Sequence, residues 1–152
     1  MRTEHDFLGT LELPDDYPFG IHTRRAEKNF RFSDDRMRRD LFLSLVEVKR
    51  ACARANHSAG LIDAERAELI ERACVELLSG REEITPDIHP LQGGAGTSTN
   101  MAANELIANR ALRIAGRPYG DYEYISPLGH VNCSQSTNDV YPTAARIAII
   151  RS

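Results

Sequence analysis

Leu91-Gln92-Gly93-Gly94-Ala95-Gly96-Thr97-Ser98-Thr99-Asn100 is the stretch whose reading decides the fold. Three glycines and an alanine in four positions let the backbone turn tightly and come close to a ligand. Thr97, Ser98, Thr99 and Asn100 then set small hydrogen-bonding groups where a helix should begin. The spacing predicts that helix over about Asn100 to Ala115, with Met101, Ala108, Leu112 and Ala115 on one face and Gly116 as its stop. A helix start offers free N–H groups and a partial positive charge, so it suits an anion. The run is neither a phosphate loop nor a dinucleotide fingerprint. No lysine or arginine occurs from Leu91 to Leu106, so the expected anion is small and held by hydroxyls and amides, as a carboxylate would be.

Downstream, His130-Val131-Asn132-Cys133-Ser134-Gln135-Ser136-Thr137-Asn138-Asp139 repeats the arrangement: Ser, Thr and Asn crowd in front of a helix expected over Asp139–Ser152. That helix carries Val140, Ala144, Ile147 and Ile150 on an apolar side, with Pro142 tolerable in a first turn. Two such starts converging in space would suit a small acid and the negative charge it gains during reaction. Taken singly, Ser136 and Thr137 also read as helix caps and Thr97 as a turn residue. Asn100 and Asn104, one turn apart, read as hydrogen-bonding within the helix packing, and His130 as structural.

Upstream, Thr3 to Leu13 alternates around Gly9 like a small hairpin. Ser33, followed by Asp34 and Asp35, reads as the cap of a long helix through Met37, Leu41, Leu45, Val48, Cys52 and Ala55 that ends near Asn56–Gly60. A second starts at Asp63 and buries Leu69, Ile70, Ala73, Cys74, Leu77 and Leu78, with Gly80 past its end. Arg117 to Cys133 reads as irregular. The fold class is therefore mainly α, several helices with a small N-terminal β-hairpin.

With 152 residues, 41% of them hydrophobic, the chain can bury one core. A net charge of -3 and few aromatics argue against nucleic acid and acidic membranes as partners. Cys52, Cys74 and Cys133 are odd in number and far apart, which suggests no metal spacing or disulfide framework and points to the cytoplasm. No signal peptide or membrane span is legible. The last helix stops on an apolar face that wants a partner, so the expectation is that these residues are the front part of a longer protein and self-associate through that face.

Gly94-Ala95-Gly96-Thr97-Ser98-Thr99-Asn100-Met101 and Ser134-Gln135-Ser136-Thr137-Asn138-Asp139-Val140-Tyr141-Pro142-Thr143 resemble two signature regions of the aspartase/fumarase superfamily. Arg2, Glu4, Asp6, Gly9, Pro14, Gly20-Ile21-His22-Thr23-Arg24-Arg25 and Asn29-Phe30 resemble the family's leading segment, with Phe19 where tyrosine is common. The wording is closer to aspartate ammonia-lyases than to class II fumarases. Fumarases carry a second dicarboxylate site in a His-Pro-Asn-Asp run, and the matching positions here are Ser126-Pro127-Leu128-Gly129. An isolated, non-catalytic structural module is the remaining alternative.

The resemblance implies that residues 1–152 form an N-terminal lyase domain plus the beginning of the next helix near 139–152, without the family's central helical bundle and C-terminal domain. It implies reversible deamination of L-aspartate to fumarate and ammonia through an aci-carboxylate intermediate, with no cofactor or metal. By motif position Thr97, Ser136 and Thr137 would hold the carboxylate and Asn138 the amino group. Ser98, Asn100 and His130 would stand behind them. The family's general base is a serine in a Gly-Ser-Ser-x-Met-Pro-x-Lys-x-Asn loop, and no such run occurs here. The resemblance therefore implies no turnover by this chain alone, and an intact homotetramer with shared sites.

Overall fold

The computed structural model describes residues 1–29 and 31–152; Phe30, part of the Asn29-Phe30 resemblance, lies outside the described residues. Strands β1 (Arg2–Asp6) and β2 (Gly9–Leu13) pair antiparallel, from Arg2 opposite Leu13 to Asp6 opposite Gly9. The Phe7-Leu8 connection is closed by the Leu8 amide donating to Asp6 Oδ1 at 2.9 Å. A short helix that the sequence reading did not anticipate, α1 (Ile21–Asn29), follows the Pro14–Gly20 break.

The long helix α2 runs Arg39–Ser58, five residues later in start than a cap at Ser33 predicts. Ser33 is not its cap. The Ser33 hydroxyl is occupied by Asp35 and His89, and Met37 donates its amide to the Ile88 carbonyl at 3.2 Å, which holds the approach extended. Helix α3 (Ala64–Leu78) starts as predicted, with the Asp63 carboxylate accepting from the Arg66 amide.

Helix α4 (Thr97–Ile114) is the axis of the molecule. One apolar face was expected, yet every residue from Thr99 to Leu112 except Met101 is buried, while Met101 and Ala115 are half-buried. The reason is that α1, α2, α3, α5 and a π-helical turn all pack against it. That π-helical turn, Pro127–Val131, is the one regular piece in the otherwise irregular Arg117–Cys133 connection.

Helix α5 (Thr137–Arg151) starts two residues before the predicted Asp139. Pro142 is consequently past the first turn, where it has no N–H to give the Asn138 carbonyl. Val140 and Ala144 are buried, but Ile150, expected on the apolar side, is 83% exposed and Ile149 is 72% exposed.

Glu105, at the middle of α4 and 1% exposed, fastens the N-terminal segment. Its carboxylate accepts the Gly20, His22 and Thr23 amides at 3.0, 2.9 and 3.0 Å and the Thr23 hydroxyl at 2.5 Å. Burial pushes this carboxyl up, and the Thr23 and His22 hydrogen bonds oppose it. Three of the four partners are N–H groups that only donate, so the ionised form is the one that fits.

Candidate functional site

The glycine run ends in left-handed backbone, Gly94 at φ +67°, Ala95 at +51° and Gly96 at +90°. Gly96 is required twice over. A Cβ there would sit 2.7 Å from Cδ2, Cε2 and Cζ of Tyr141, a residue one turn into α5. The missing side chain thus lets the starts of α4 and α5 close on one another.

Asn100 ties the junction. Its Nδ2 donates to Asn132 Oδ1 at 3.1 Å and to Thr137 Oγ1 at 3.0 Å. It was expected to bond within its own helix packing; instead it bridges the two motifs, because α4 begins at Thr97 and turns this position towards α5. Its Oδ1 is buried without a partner among the described residues.

Because α4 starts three residues earlier than predicted, Thr97, Ser98 and Thr99 form its first turn. The Thr97 amide bonds the Gly94 carbonyl and the Thr99 amide bonds Gln92 Oε1, which leaves the Ser98 amide without an acceptor among the described residues. At α5 the Asn138 amide reaches Ser136 Oγ at 3.2 Å and the Asp139 amide reaches the Ser136 carbonyl, which leaves the Thr137 amide without an acceptor among the described residues. One open N–H at each helix start, with the local dipole behind it, is what a small oxyanion needs.

The individual side chains differ in readiness. Thr97 is exposed, and its hydroxyl donates to the Gly94 carbonyl at 2.5 Å, so it must release that bond before it can donate to a ligand. Ser136 and Thr137 use only lone pairs, accepting from the Asn138 amide and from Asn100, so their hydroxyl hydrogens remain to give. Asn138 is exposed, and Ser98 is half-buried. His130, in the π-helical turn, accepts the Ser126 amide on Nδ1 at 2.8 Å, which makes it a neutral brace of its own turn. Burial lowers its pKa, with Arg66 adding to the effect.

The residue missed from sequence is Lys49 on α2. It is fully buried, and its Nζ donates to Asn132 Oδ1 at 2.7 Å and Gln135 Oε1 at 2.9 Å. The signal was a lysine at helical spacing between buried Leu45, Val46 and Ala53, on the face that should be apolar. Desolvation pulls its pKa down to about 7.

Two other features are not of this site. Ser33 Oγ lies 2.8 Å from His89 Nε2 and 2.7 Å from Asp35 Oδ2. The Leu91 amide donates to His89 Nδ1, so Nε2 carries the proton and cannot take one from serine. Separately, a cleft of about 390 Å³ opens beside Ser126, Pro127 and Leu128, walled by Glu4, Glu105, Asp121 and Glu123.

A family model described as Lyase matches residues 9–152. The chain is 47% identical over 150 residues to an aspartate ammonia-lyase of a Bacillus species, covering 99% of this chain and 32% of that protein. It is 41% identical over 151 residues to the class II fumarate hydratase of Wigglesworthia glossinidia brevipalpis, covering 99% and 32%. Its structure matches a fumarate lyase:delta crystallin from Brucella melitensis with a TM-score of 0.95 at 46% identity, over 99% of this chain and 34% of the other. The chain thus spans about a third of the length of the curated relatives it matches.

Proposed function

From membership of the lyase family, the aspartase/fumarase superfamily, to which this chain belongs, we propose that it is the N-terminal part of an aspartate ammonia-lyase and supplies the carboxylate-binding half of its site. The observation that carries the proposal is the Asn100–Thr137 hydrogen bond, which joins two helix starts that each keep an unused amide. In the reaction a base removes the proton from the carbon next to a carboxylate of L-aspartate. The electron pair moves into that carboxylate, giving an aci-carboxylate dianion. When the pair returns, the carbon–carbon double bond forms as the neighbouring C–N bond breaks, releasing ammonia and fumarate.

Such a carbon acid is weak, so the barrier falls chiefly with stabilisation of the dianion. The Ser98 and Thr137 amides and the Ser136 and Thr137 hydroxyls meet the carboxylate, Thr97 joins by exchanging the Gly94 carbonyl for substrate, and Asn138 holds the amino group. Asn100 and His130 brace them. No cofactor enters the scheme. The proton-abstracting base comes from outside these residues, so the chain alone is expected to be without turnover. The exposed Ile149 and Ile150 support assembly with other chains, as a homotetramer in the intact enzyme or by self-association of this piece. Three free thiols are consistent with a reducing cytoplasm.

Thr97→Val and Ser136→Ala in the intact enzyme test the assignment. Each lost donor should raise the barrier by about 2.7–4 kcal/mol with the fold preserved. Normal aspartate turnover in a folded double variant would sink it.

The second reading, a class II fumarase, is supported by the relative at 41% identity. Against it stand the absent His and Asn at Ser126 and Leu128. Loss of fumarate's ultraviolet absorbance with water alone, and no added loss with ammonium, would decide for the fumarase.

A further inference from the structure

Helix α2 grips the loop that leads into α5 from one side. Lys49 holds Asn132 and Gln135, and Asn56, two turns further along the same face, donates Nδ2 to the Cys133 carbonyl at 2.8 Å. The loop is internally cross-tied as well: Asn132 Nδ2 donates to the Gln135 carbonyl, and Gln135 Nε2 donates to the Val131 and Cys133 carbonyls. It also contains Ser134 at φ +56°, an uncommon backbone for a side-chain-bearing residue, so something has to hold it in place.

A lysine is an odd choice for that task if holding were all. Uncharged donors serve between neutral amides, and a buried ammonium with no acid partner is costly. Among the described residues no carboxylate pairs with Lys49; the ionisable groups acting on it are the Cys52 thiol on α2 and the Cys74 thiol on α3. Burial pushes both thiols up, Cys74 to about 12, so neither supplies a negative charge at neutral pH. From the loop before α5, the side-chain amides of Asn132 and Gln135 accept from it, and among the described residues no titratable group of the loop or of α5 acts on it. Asn132 Oδ1, which accepts one Lys49 N–H, also accepts from Asn100, and Asn100 donates to Thr137 Oγ1. Three hydrogen bonds therefore separate the ammonium from the hydroxyl assigned to the substrate carboxylate.

We propose that Lys49 is a positioning residue of the lyase site whose ammonium form locks the Asn132–Gln135 loop and serves, from behind Thr137, as the fixed positive charge against which the dianion forms. This rests on the carboxylate-site reading above. The missing acid partner is then explained: the substrate's negative charge completes the pair, and only while it is bound. Deprotonation above the lysine's own pKa removes both the charge and one of the donors. Activity should accordingly fall on the alkaline side. The bound dianion favours the ammonium, so the alkaline limb of kcat should lie at higher pH than that of kcat/KM.

The test is the pH–rate profile of the intact lyase, in wild type and three variants, with circular dichroism as the check on folding. Lys49→Met should lower kcat about tenfold or more at neutral pH, with a smaller change in KM, because the charge acts on the transition state. Lys49→Arg keeps a cation that does not titrate in this range, so it should remove the alkaline limb if it folds. Gln135→Glu keeps the acceptor oxygen, gives up the Nε2 bonds to the Val131 and Cys133 carbonyls and adds a carboxylate beside Nζ; where it folds, it should move the limb up by about one pH unit or more. A merely structural lysine would leave the limb where it is. An alkaline limb unchanged in folded Gln135→Glu, or full kcat in folded Lys49→Met, would overturn the proposal. Absence of any aspartate deamination in wild type would instead overturn the function on which it rests.

Discussion

Replacing Gly96 with alanine puts the closure of the two helix starts to a direct test. Two independent penalties apply. A left-handed φ of +90° costs a residue with a Cβ about 1–3 kcal/mol. The new methyl would also lie 2.7 Å from three ring carbons of Tyr141, and overpacking of this kind costs about 1–3 kcal/mol more. The total is about 2–6 kcal/mol. Gly60→Ala is the matching control. Gly60 lies at φ +72° with nothing within 4 Å of a built Cβ, so it carries the backbone penalty alone. Guanidinium unfolding of both variants by circular dichroism gives the difference, which belongs to the ring. Tyr141→Leu in the Gly96→Ala background should recover most of it, since neighbours that share a contact are not additive. If Gly96→Ala proves no more destabilising than Gly60→Ala, the tyrosine does not lie over the glycine and the junction is wrongly drawn.

Four further outcomes are expected. Glu105→Gln should destabilise by about 3 kcal/mol or more, because an amide cannot accept from all four donors and leaves buried N–H groups unpaired; a change under about 1 kcal/mol in denaturant unfolding would contradict the anchoring role. Asp63→Ala should cost about 1 kcal/mol through loss of the α3 cap, read the same way. Burial lowers the Lys49 pKa from 10.5 to about 7, so between those values the unfolded chain binds more protons than the folded one. Stability should therefore rise with pH across that window and be lowest below it, and Lys49→Met should flatten the slope. Native-state thiol labelling should spare Cys74, which is fully buried with its pKa pushed up to about 12, while Cys133 reacts; equal rates would refute the packing of α3.

Much of the architecture was legible in the residues. Gly9, Asp63, Gly80 and Gly116 punctuate the chain where the structure turns, caps or stops. The two Ser/Thr-rich helix starts could be recognised as a pair, since each combines small polar residues with a following helical pattern. Their contact could not: it depends on Asn100 spanning to Thr137 and on Tyr141 covering Gly96, both settled by tertiary packing. Helix α1 escaped because its polar residues, Arg24, Arg25 and Lys28, hide an apolar stripe that is only two or three residues wide, and the carboxylates that satisfy its first turn lie in β1 (Glu4) and α4 (Glu105). Ser33 misled for the opposite reason. A good capping residue followed by two aspartates is a local preference, and the Met37–Ile88 bond overrides it. Lys49 was visible as an anomaly in an apolar stripe, but its partners lie more than eighty residues away, at Asn132 and Gln135.

The Glu105 anchor carries a consequence for biosynthesis. Gly20, His22 and Thr23 leave the ribosome long before the side chain that fastens them, which follows 82 to 85 residues later. Until then only the Ile21 amide of the first turn of α1 has its acid, Glu4 of β1, while the His22 and Thr23 amides lack theirs, so the hairpin and α1 wait undocked from α4 while α2 and α3 can already pair as neighbours. Closing so large a loop is slow compared with forming a local helix pair. The beginning of this polypeptide is thus among the last parts to settle, and a nascent chain stalled before position 105 exposes its leading end to proteases and chaperones.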